Sequence, residues 1–599
     1  MSDGPDPEVE RLLERMTLRE KVGQMTQADV HSLRPRAVTE LGLGSVLSGG
    51  GGNPTPNTPA AWAAMVRRVQ DEALESRLGI PLLYGVDAVH GHSNMRGATI
   101  FPHNVGLGAT GDPDLVERVG RITATELLAT NVRWAFAPAV SVPQDIRWGR
   151  TYEAYGADPA LVSSLGAAYI RGLNVDLDRP VLASPKHFVG DGGTMWGSTR
   201  RYEWVQGWWN SAAPDRWQLD QGDLRGDEAS LRSVHLRPYE HVIAAGALSI
   251  MISYSSWNGL KLHAHRYLLT DVLKGELGFG GFLVSDWLGV SQLDPSFERA
   301  VCLAINAGLD MVMVPFEYER FISAVDDAVE AGIIPHSRIE DACRRILRVK
   351  AAIGLFTHPF GDGALLPLVG SDGHRAVARE AVSKSQVLLK NARSALPLSQ
   401  GARKVFVVGA AADDLGLQCG GWTIEWQGGR GAITEGTTLL RAVAAAAPEA
   451  LIAYRPDGDF DGEHAEVGIV VLSEPPYSEG EGDRSDLALP AEDVGLVRRV
   501  RGHCDVLVLV IYSGRPLIIG EVLESCDAIV ASWLPGTEAQ GIADVLFGKE
   551  PFTGRLPYAW PETMDQVRSP NGRAPLFPLS HGLSTSRRND SDRTHQRLA

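Results

Sequence analysis

The decapeptide GFLVSDWLGV carries Asp286 at the end of a four-residue apolar run, with Trp287 directly after it. A carboxylate at the C-terminal end of a buried strand stands where an α/β barrel opens to solvent, and an indole beside it offers a flat face to a sugar ring. The same text also describes an ordinary strand followed by a helix N-cap. Cleaving a glycosidic bond with retention takes a second carboxyl group, held about 5 to 5.5 Å from the first, which protonates the departing oxygen. The loop SEPPYSEGEGDR, after an apolar run at 467–472, supplies four candidates: Glu474, Glu479, Glu481 and Asp483. Residue type and spacing do not rank them, and a solvated acidic loop has the same composition.

Other polar side chains stand in positions like that of Asp286. Asp87, Arg150, Lys186, His187 and Tyr254 each lie at or beyond the end of an apolar, β-rich run. Taken singly, each reads as a cap, a surface charge or a satisfied core histidine. Six such residues at equivalent strand ends converge on one mouth.

The runs that would position them fall at 22–26, 44–47, 82–86, 134–139, 181–188, 249–254, 282–285 and 311–314, separated by helical patterns. Eight βα units over this length predict a (β/α)8 TIM-like barrel, with irregular spacing that leaves room for a missing or reversed strand. The Gly- and Pro-rich text FTHPFGDGALLPLVGSD marks a linker. Buried-strand runs return at 405–408, 467–472, 506–511 and 528–532, predicting a second α/β layer structure. The expected division is a barrel over 1–357, a linker over 358–373, an α/β sandwich domain over 374–585 and a disordered tail over 586–599. The four glycines at 49–52 lack the P-loop Lys-Ser/Thr and the dinucleotide-binding spacing, so they read as a flexible barrel loop.

The bulk properties narrow the partners. At 599 residues the chain is too long for one core, and 57 Lys+Arg against 73 Asp+Glu leave a formal charge of −16. That balance disfavours nucleic acid and anionic membranes and suits a neutral substrate. No run approaches the roughly 20 apolar residues of a membrane span. Five cysteines without metal-type spacing suggest free thiols, and the amino-terminal text has no basic and apolar leader. A cytoplasmic location is expected, or a periplasmic or secreted one if a leader has been removed.

The segments KHFVGDGGT, YGVDAVHGH, DIRWGRTYEAY, MISYSSWNG, VSDW, QCGGWTIEWQG and FTGRLP, in this chain, together resemble family 3 glycoside hydrolases. Within the family the chain is similar to two-domain exo-acting β-glucosidases and β-glucan exohydrolases. The resemblance runs nearly end to end. It implies an N-terminal barrel, a C-terminal α/β sandwich and an active site at their junction, with no metal or organic cofactor. Carried over residue by residue, it makes Asp286 the nucleophile and selects Glu479 as acid/base. It assigns Asp87 to a bidentate grip on sugar hydroxyls, with Arg150, Lys186, His187 and Tyr254 completing a polar cage. Trp287 and Trp426 would sandwich the next sugar. The implied partner is a β-linked gluco-oligosaccharide, cut from its non-reducing end by a monomer or homodimer. The alternatives are another family 3 exo-glycosidase (a β-xylosidase or β-N-acetylhexosaminidase) and a catalytically silent carbohydrate-binding protein.

The chain departs from that pattern in places. The stretch 194–231 is long and carries Trp196, Trp204, Trp208, Trp209 and Trp217, suggesting an aromatic wall or a self-packed lid, and its DQGD resembles bacterial relatives. Leu288 follows SDW where an acidic residue is common, and Gly480 and Glu481 stand in place of Thr and Lys. Glu481, two residues from Glu479, could raise its proton affinity by like-charge repulsion.

Overall fold

The computed structural model describes residues 6–174, 179–205, 215–569 and 572–586. Its first domain is built on eight short parallel strands: β1 (Thr26–Asp29), β2 (Ser45–Ser48), β3 (Leu83–Val86), β4 (Trp134–Ala135), β5 (Leu182–Ala183), β6 (Ser249–Met251), β7 (Phe282–Val284) and β8 (Val312–Met313). Six of them hydrogen-bond in the order β8-β1-β2-β3-β4-β5, and β6 pairs with β7. Single parallel bridges, Phe188 to Ile252 and Val284 to Met311, join the two sheets into a ring. Every strand of the ring runs parallel, so no reversed or missing member interrupts the expected barrel.

The strands are buried on both faces, as a parallel sheet lined with helices requires, so most read as apolar runs. The first is the exception. The run expected as a strand at 22–26 lies largely in the helix Leu18–Gln24, which opens with a capping box: Thr17 accepts from the amide of Glu20 while Glu20 takes the amide of Thr17. The strand itself, Thr26-Gln-Ala-Asp29, is polar yet fully buried. Part of its polarity is satisfied inside the ring, where Gln27 donates from Nε2 to Ser45 Oγ at 2.8 Å and Ser45 donates to the Leu83 carbonyl at 2.8 Å, while Gln27 Oε1 is buried without a hydrogen-bond partner.

Caps delimit the outer helices. Thr58 and Asp112 accept from the third amide on, with Pro59 and Pro113 at the first helical position. The helix Phe297–Ala307 opens on Ser296 and ends on Gly308, whose φ of 119° lies outside the comfortable range of other residues. Between Ala352 and Asp372 the chain has only a short 3-10 turn, Gly363–Leu368, and Asp362 donates to the barrel carbonyl of Leu128 at 2.9 Å.

The second domain holds a six-stranded sheet: β9 (Val387–Asn391), β10 (Lys404–Val408), β11 (Leu451–Arg455), β12 (Ala465–Ser473), β13 (Cys504–Tyr512) and β14 (Ala528–Trp533), in the order β9-β14-β13-β12-β10-β11. All are parallel except β9 at one edge. Alternate side chains feed two separate cores. Phe406, Val408, Val470 and Leu472 face one side, and Val405, Val407, Ile469 and Val471 the other. This is a sheet covered on both faces, the sandwich expected. The predicted tail lies outside the described residues from 587 onward. Among the described residues no helix is long and apolar enough to cross a membrane.

Candidate active site

The C-terminal ends of the barrel strands and the loops after β10 and β12 enclose a cavity of about 350 Å³. All nine residues singled out from the sequence line it: Asp87, Arg150, Lys186, His187, Tyr254, Asp286 and Trp287 from the first domain, Trp426 and Glu479 from the second. Leu47, Phe136, Met251 and Met313 give part of its lining an apolar character.

Asp286 stands two residues beyond β7. Its Oδ1 accepts from the amide of Trp287 at 2.7 Å, and its own amide donates to His263 Nε2 at 3.1 Å, leaving the His263 proton on Nδ1. Asp286 Oδ2 is buried and has no hydrogen-bond partner, with His187 Nε2 3.6 Å away. Burial lifts the carboxyl to about 6, against the opposing pull of the Arg150 and Lys186 cations.

The polar cage is pre-ordered by its own contacts. Arg150 donates to both oxygens of Glu153 at 2.9 Å and reaches Glu479 Oε1 at 3.4 Å. Lys186 Nζ lies 3.6 Å from Asp87 Oδ1. His187 donates from Nδ1 to Asp191 at 2.9 Å, and burial with the neighbouring Arg150 and Lys186 charges holds its pKa well below the ordinary value. A neutral ring then presents Nε2 to the cavity as an acceptor. The Tyr254 hydroxyl donates to the Trp287 carbonyl at 2.6 Å, which ties the ends of β6 and β7 together.

The four acidic side chains of the 474–483 loop have different surroundings. Glu474 is buried among cations, 3.3 Å from both Arg484 and Arg515, and accepts from the Tyr477 hydroxyl at 2.9 Å. Glu481 turns to Trp217, accepting from its Nε1 at 2.8 Å. Asp483 is consumed by backbone amides. Of the four, Glu479 lines the cavity, and its Oε2 is buried without a hydrogen-bond partner. Burial pushes its pKa well above the usual carboxylate range. Arg150 opposes this, while the carboxylates of Asp220, Asp286 and Glu153 reinforce it. The like charge expected from Glu481 is thus supplied chiefly by Asp220, from the DQGD text.

Trp287 and Trp426 are seated on the tetraglycine. A Cβ on Gly49 would stand 3.2 Å from the Trp287 ring, and one on Gly50 would stand 2.7 Å from Trp426 Cβ. The run read as a flexible loop is therefore a close-packed strip that only glycine permits. Trp217 and Val205 pack behind Trp426, so the described part of the Trp-rich stretch buttresses the second domain. Trp204 donates from Nε1 to the Ser291 carbonyl at 3.1 Å, and Arg147 lies 4.4 Å over the Trp196 ring. Trp208 and Trp209 lie outside the described residues.

Sequence reasoning passed over several lining residues. Trp422 donates from Nε1 to Glu153 Oε1 at 2.9 Å, with the Lys186 ammonium 5.6 Å above its ring. It stood in the QCGGWTIEWQG text, where Trp426 drew the attention. Phe316, 57% exposed, meets Trp287 edge-on at 5.6 Å, and Asp29 ends β1 with His31 two residues on. Position at or beyond a strand end was the one signal for these three.

Residues 17–207 and 218–349 match the glycosyl hydrolase family 3 N-terminal domain, and residues 386–585 match the C-terminal domain of the same family. The chain is 31% identical to a lysosomal beta glucosidase of Dictyostelium discoideum, over 97% of this chain and 76% of that protein. It is 29% identical to a periplasmic beta-glucosidase of Salmonella typhimurium, over 97% and 80%. The crystal structure of an exo-1,3/1,4-beta-glucanase from a Pseudoalteromonas species superposes with a TM-score of 0.89 at 37% identity, covering 97% of this chain and 74% of that one. With both domains matched in order, the chain belongs to glycosyl hydrolase family 3.

Proposed function

We propose that this glycoside hydrolase is a retaining, exo-acting β-glucosidase that releases glucose from the non-reducing end of β-linked gluco-oligosaccharides. One observation carries the reading: two buried, unpartnered carboxyl oxygens, Asp286 Oδ2 and Glu479 Oε2, line one cavity and come from different domains. Their environments push them toward different protonation states. Asp286, with a pKa of about 6, is an anion at neutral pH and attacks the anomeric carbon. Glu479, held far above the carboxylate range, keeps its proton and gives it to the leaving oxygen. Water then cleaves the glycosyl ester with Glu479 as base, returning the β configuration.

The exo reading is supported by the superposition, at 37% identity, on the Pseudoalteromonas exo-1,3/1,4-beta-glucanase. Asp87, Lys186, Arg150 and His187 would hold the terminal sugar ring through its hydroxyls, as donors and acceptors fixed before the sugar arrives. A wrong epimer would leave buried groups unpaired, at about 1–3 kcal/mol each.

Trapping with an activated 2-deoxy-2-fluoroglucoside and mapping the labelled peptide tests the assignment. A glycosyl ester on Asp286 is expected, and a label on any other residue would refute it. A panel of aryl glycosides tests the sugar. A higher kcat/KM on the xyloside or the N-acetylglucosaminide would replace glucose. Asp286→Asn separates an enzyme from a silent binding protein, since hydrolysis should collapse while glucose binding survives. The free thiols, four of them buried, suit a reducing compartment, and we place the chain in the cytoplasm. Fractionation of the source cells checks this.

A further inference from the structure

The acid/base loop and the barrel meet through glycines. A Cβ on Gly149 would stand 1.9 Å from the Glu479 carbonyl oxygen, and one on Gly482 would stand 2.7 Å from Gly149 Cα. Glu479 itself adopts a left-handed backbone, with φ of 54°, at the start of the turn Glu479–Gly482. Such a conformation in a non-glycine residue persists only when its surroundings impose it.

Two fully buried residues of the second domain supply that imposition. Asp483 Oδ1 accepts from the amide of Gly149 at 2.8 Å, and its Oδ2 accepts from the amides of Gln218, Leu219 and Asp220 at 2.8, 2.7 and 3.0 Å. All four donors belong to the first domain. Arg515 makes the complementary contacts, donating to the Arg147 carbonyl at 2.8 Å and to the Ile146 and Trp148 carbonyls at 3.3 Å. Its other nitrogen donates to the Gly482 carbonyl, back in the acid/base loop. The guanidinium thus collects carbonyls from the barrel loop 146–148, and the carboxylate collects the next amide of that loop, Gly149, together with three amides of a second barrel segment, 218–220. The residue after Gly149 is Arg150, which touches Glu479.

We infer that Asp483 and Arg515 form a backbone clamp that positions Glu479 for proton donation, holding the second domain's acid in register with the first domain's nucleophile. The inference rests on the assignment of Glu479 as acid/base. Of the sugar-gripping residues, Asp87, Lys186 and His187 lie at other barrel strands' ends, and only Arg150 follows the clamped loop. Loosening it should therefore spoil protonation of the leaving group more than binding or attack.

The test is kcat/KM, which reports the glycosylation step, measured on 2,4-dinitrophenyl glucoside, phenyl glucoside and laminaribiose. Dinitrophenolate departs without a proton, and the other two leaving groups need one. For Asp483→Asn we expect a loss of about 100-fold on laminaribiose and phenyl glucoside, with dinitrophenyl glucoside within about threefold of the parent, the span of a general-acid contribution. Arg515→Lys, which keeps the charge but loses the fork, should show the same ordering with smaller losses, and it carries the test if Asp483→Asn does not fold. Active sites are counted by burst titration with the trapping fluoroglucoside, so misfolded protein is excluded. An equal loss on all three substrates would overturn the clamp as a positioning device and leave it a structural contact. Glu479→Gln is run in parallel. If that variant shows no leaving-group dependence, the acid/base assignment fails and the clamp's positioning role falls with it; if Glu479→Gln does show it while Asp483→Asn loses equally on all three, the clamp alone fails.

Discussion

Arg150, on a barrel loop, lies 3.4 Å from Glu479 in the other domain, while Glu153 grips it from behind through two bonds of 2.9 Å. Its charge opposes protonation of both Glu479 and Asp286. Replacing it with methionine should raise both proton affinities, so the acidic limb of the kcat/KM profile should move to higher pH. Glu153 would be left as a buried, uncompensated charge, costing about 3–5 kcal/mol in a denaturant melt. An unmoved acidic limb would contradict the proposed electrostatics.

The parent enzyme should itself show that limb near pH 6. Asp286 attacks only when ionised, and burial raises its pKa to about 6. Activity should therefore be full above that value and fall about tenfold per pH unit below it, as one essential ionisation dictates. A profile of kcat/KM with no inflection between pH 5 and 7, roughly the spread of one unit about that pKa, would remove Asp286 as the titrating group.

Asp220 and Glu481 should part company in the alkaline limb. Asp220 is a like charge that raises the Glu479 pKa, so Asp220→Asn should lower that pKa and shift the alkaline limb toward acid. Asparagine can still accept from Trp148 Nε1, which now donates to Asp220 at 2.9 Å. Glu481→Gln, facing Trp217, should leave the limb in place. The two profiles, recorded side by side, decide which carboxylate tunes the acid.

Gly50→Ala should act at a distance from the chemistry. Its Cβ would meet Trp426 Cβ at 2.7 Å and Trp426 Cα at 2.8 Å, forcing the backbone there, and the indole with it, to move. If Trp426 stacks on the second sugar, KM for laminaribiose should rise about tenfold, on the order of one aromatic contact. Competitive inhibition by glucose, which fills the barrel-borne subsite, should be unchanged. A weakened glucose Ki would mean that the tetraglycine shapes the inner subsite instead.

Much of the barrel was readable because parallel strands buried on both faces leave unbroken apolar runs. Seven of the eight runs coincide with observed strands. The first was displaced because β1 hides polar Gln27 inside the ring, bonded to Ser45 of β2, and because the Thr17–Glu20 capping box turns the preceding apolar residues into a helix. In the acidic loop, four carboxylates within ten residues are alike as text. What separates them is their partners, since cations claim Glu474, an indole claims Glu481 and amides claim Asp483.

By itself the sequence determined the strand ends, and with them which polar side chains crowd the mouth of the barrel, because alternation and burial are local properties. It also determined family membership, through ordered motifs in both halves. The tertiary structure decided how the halves meet: that Glu479 faces the cavity holding Asp286, that Gly50 underlies Trp426, and that Asp483 reaches the amides of Gly149 and Gln218. Contacts between segments hundreds of residues apart leave no periodicity in the chain. They arise when buried surfaces close against each other and each buried donor must find an acceptor.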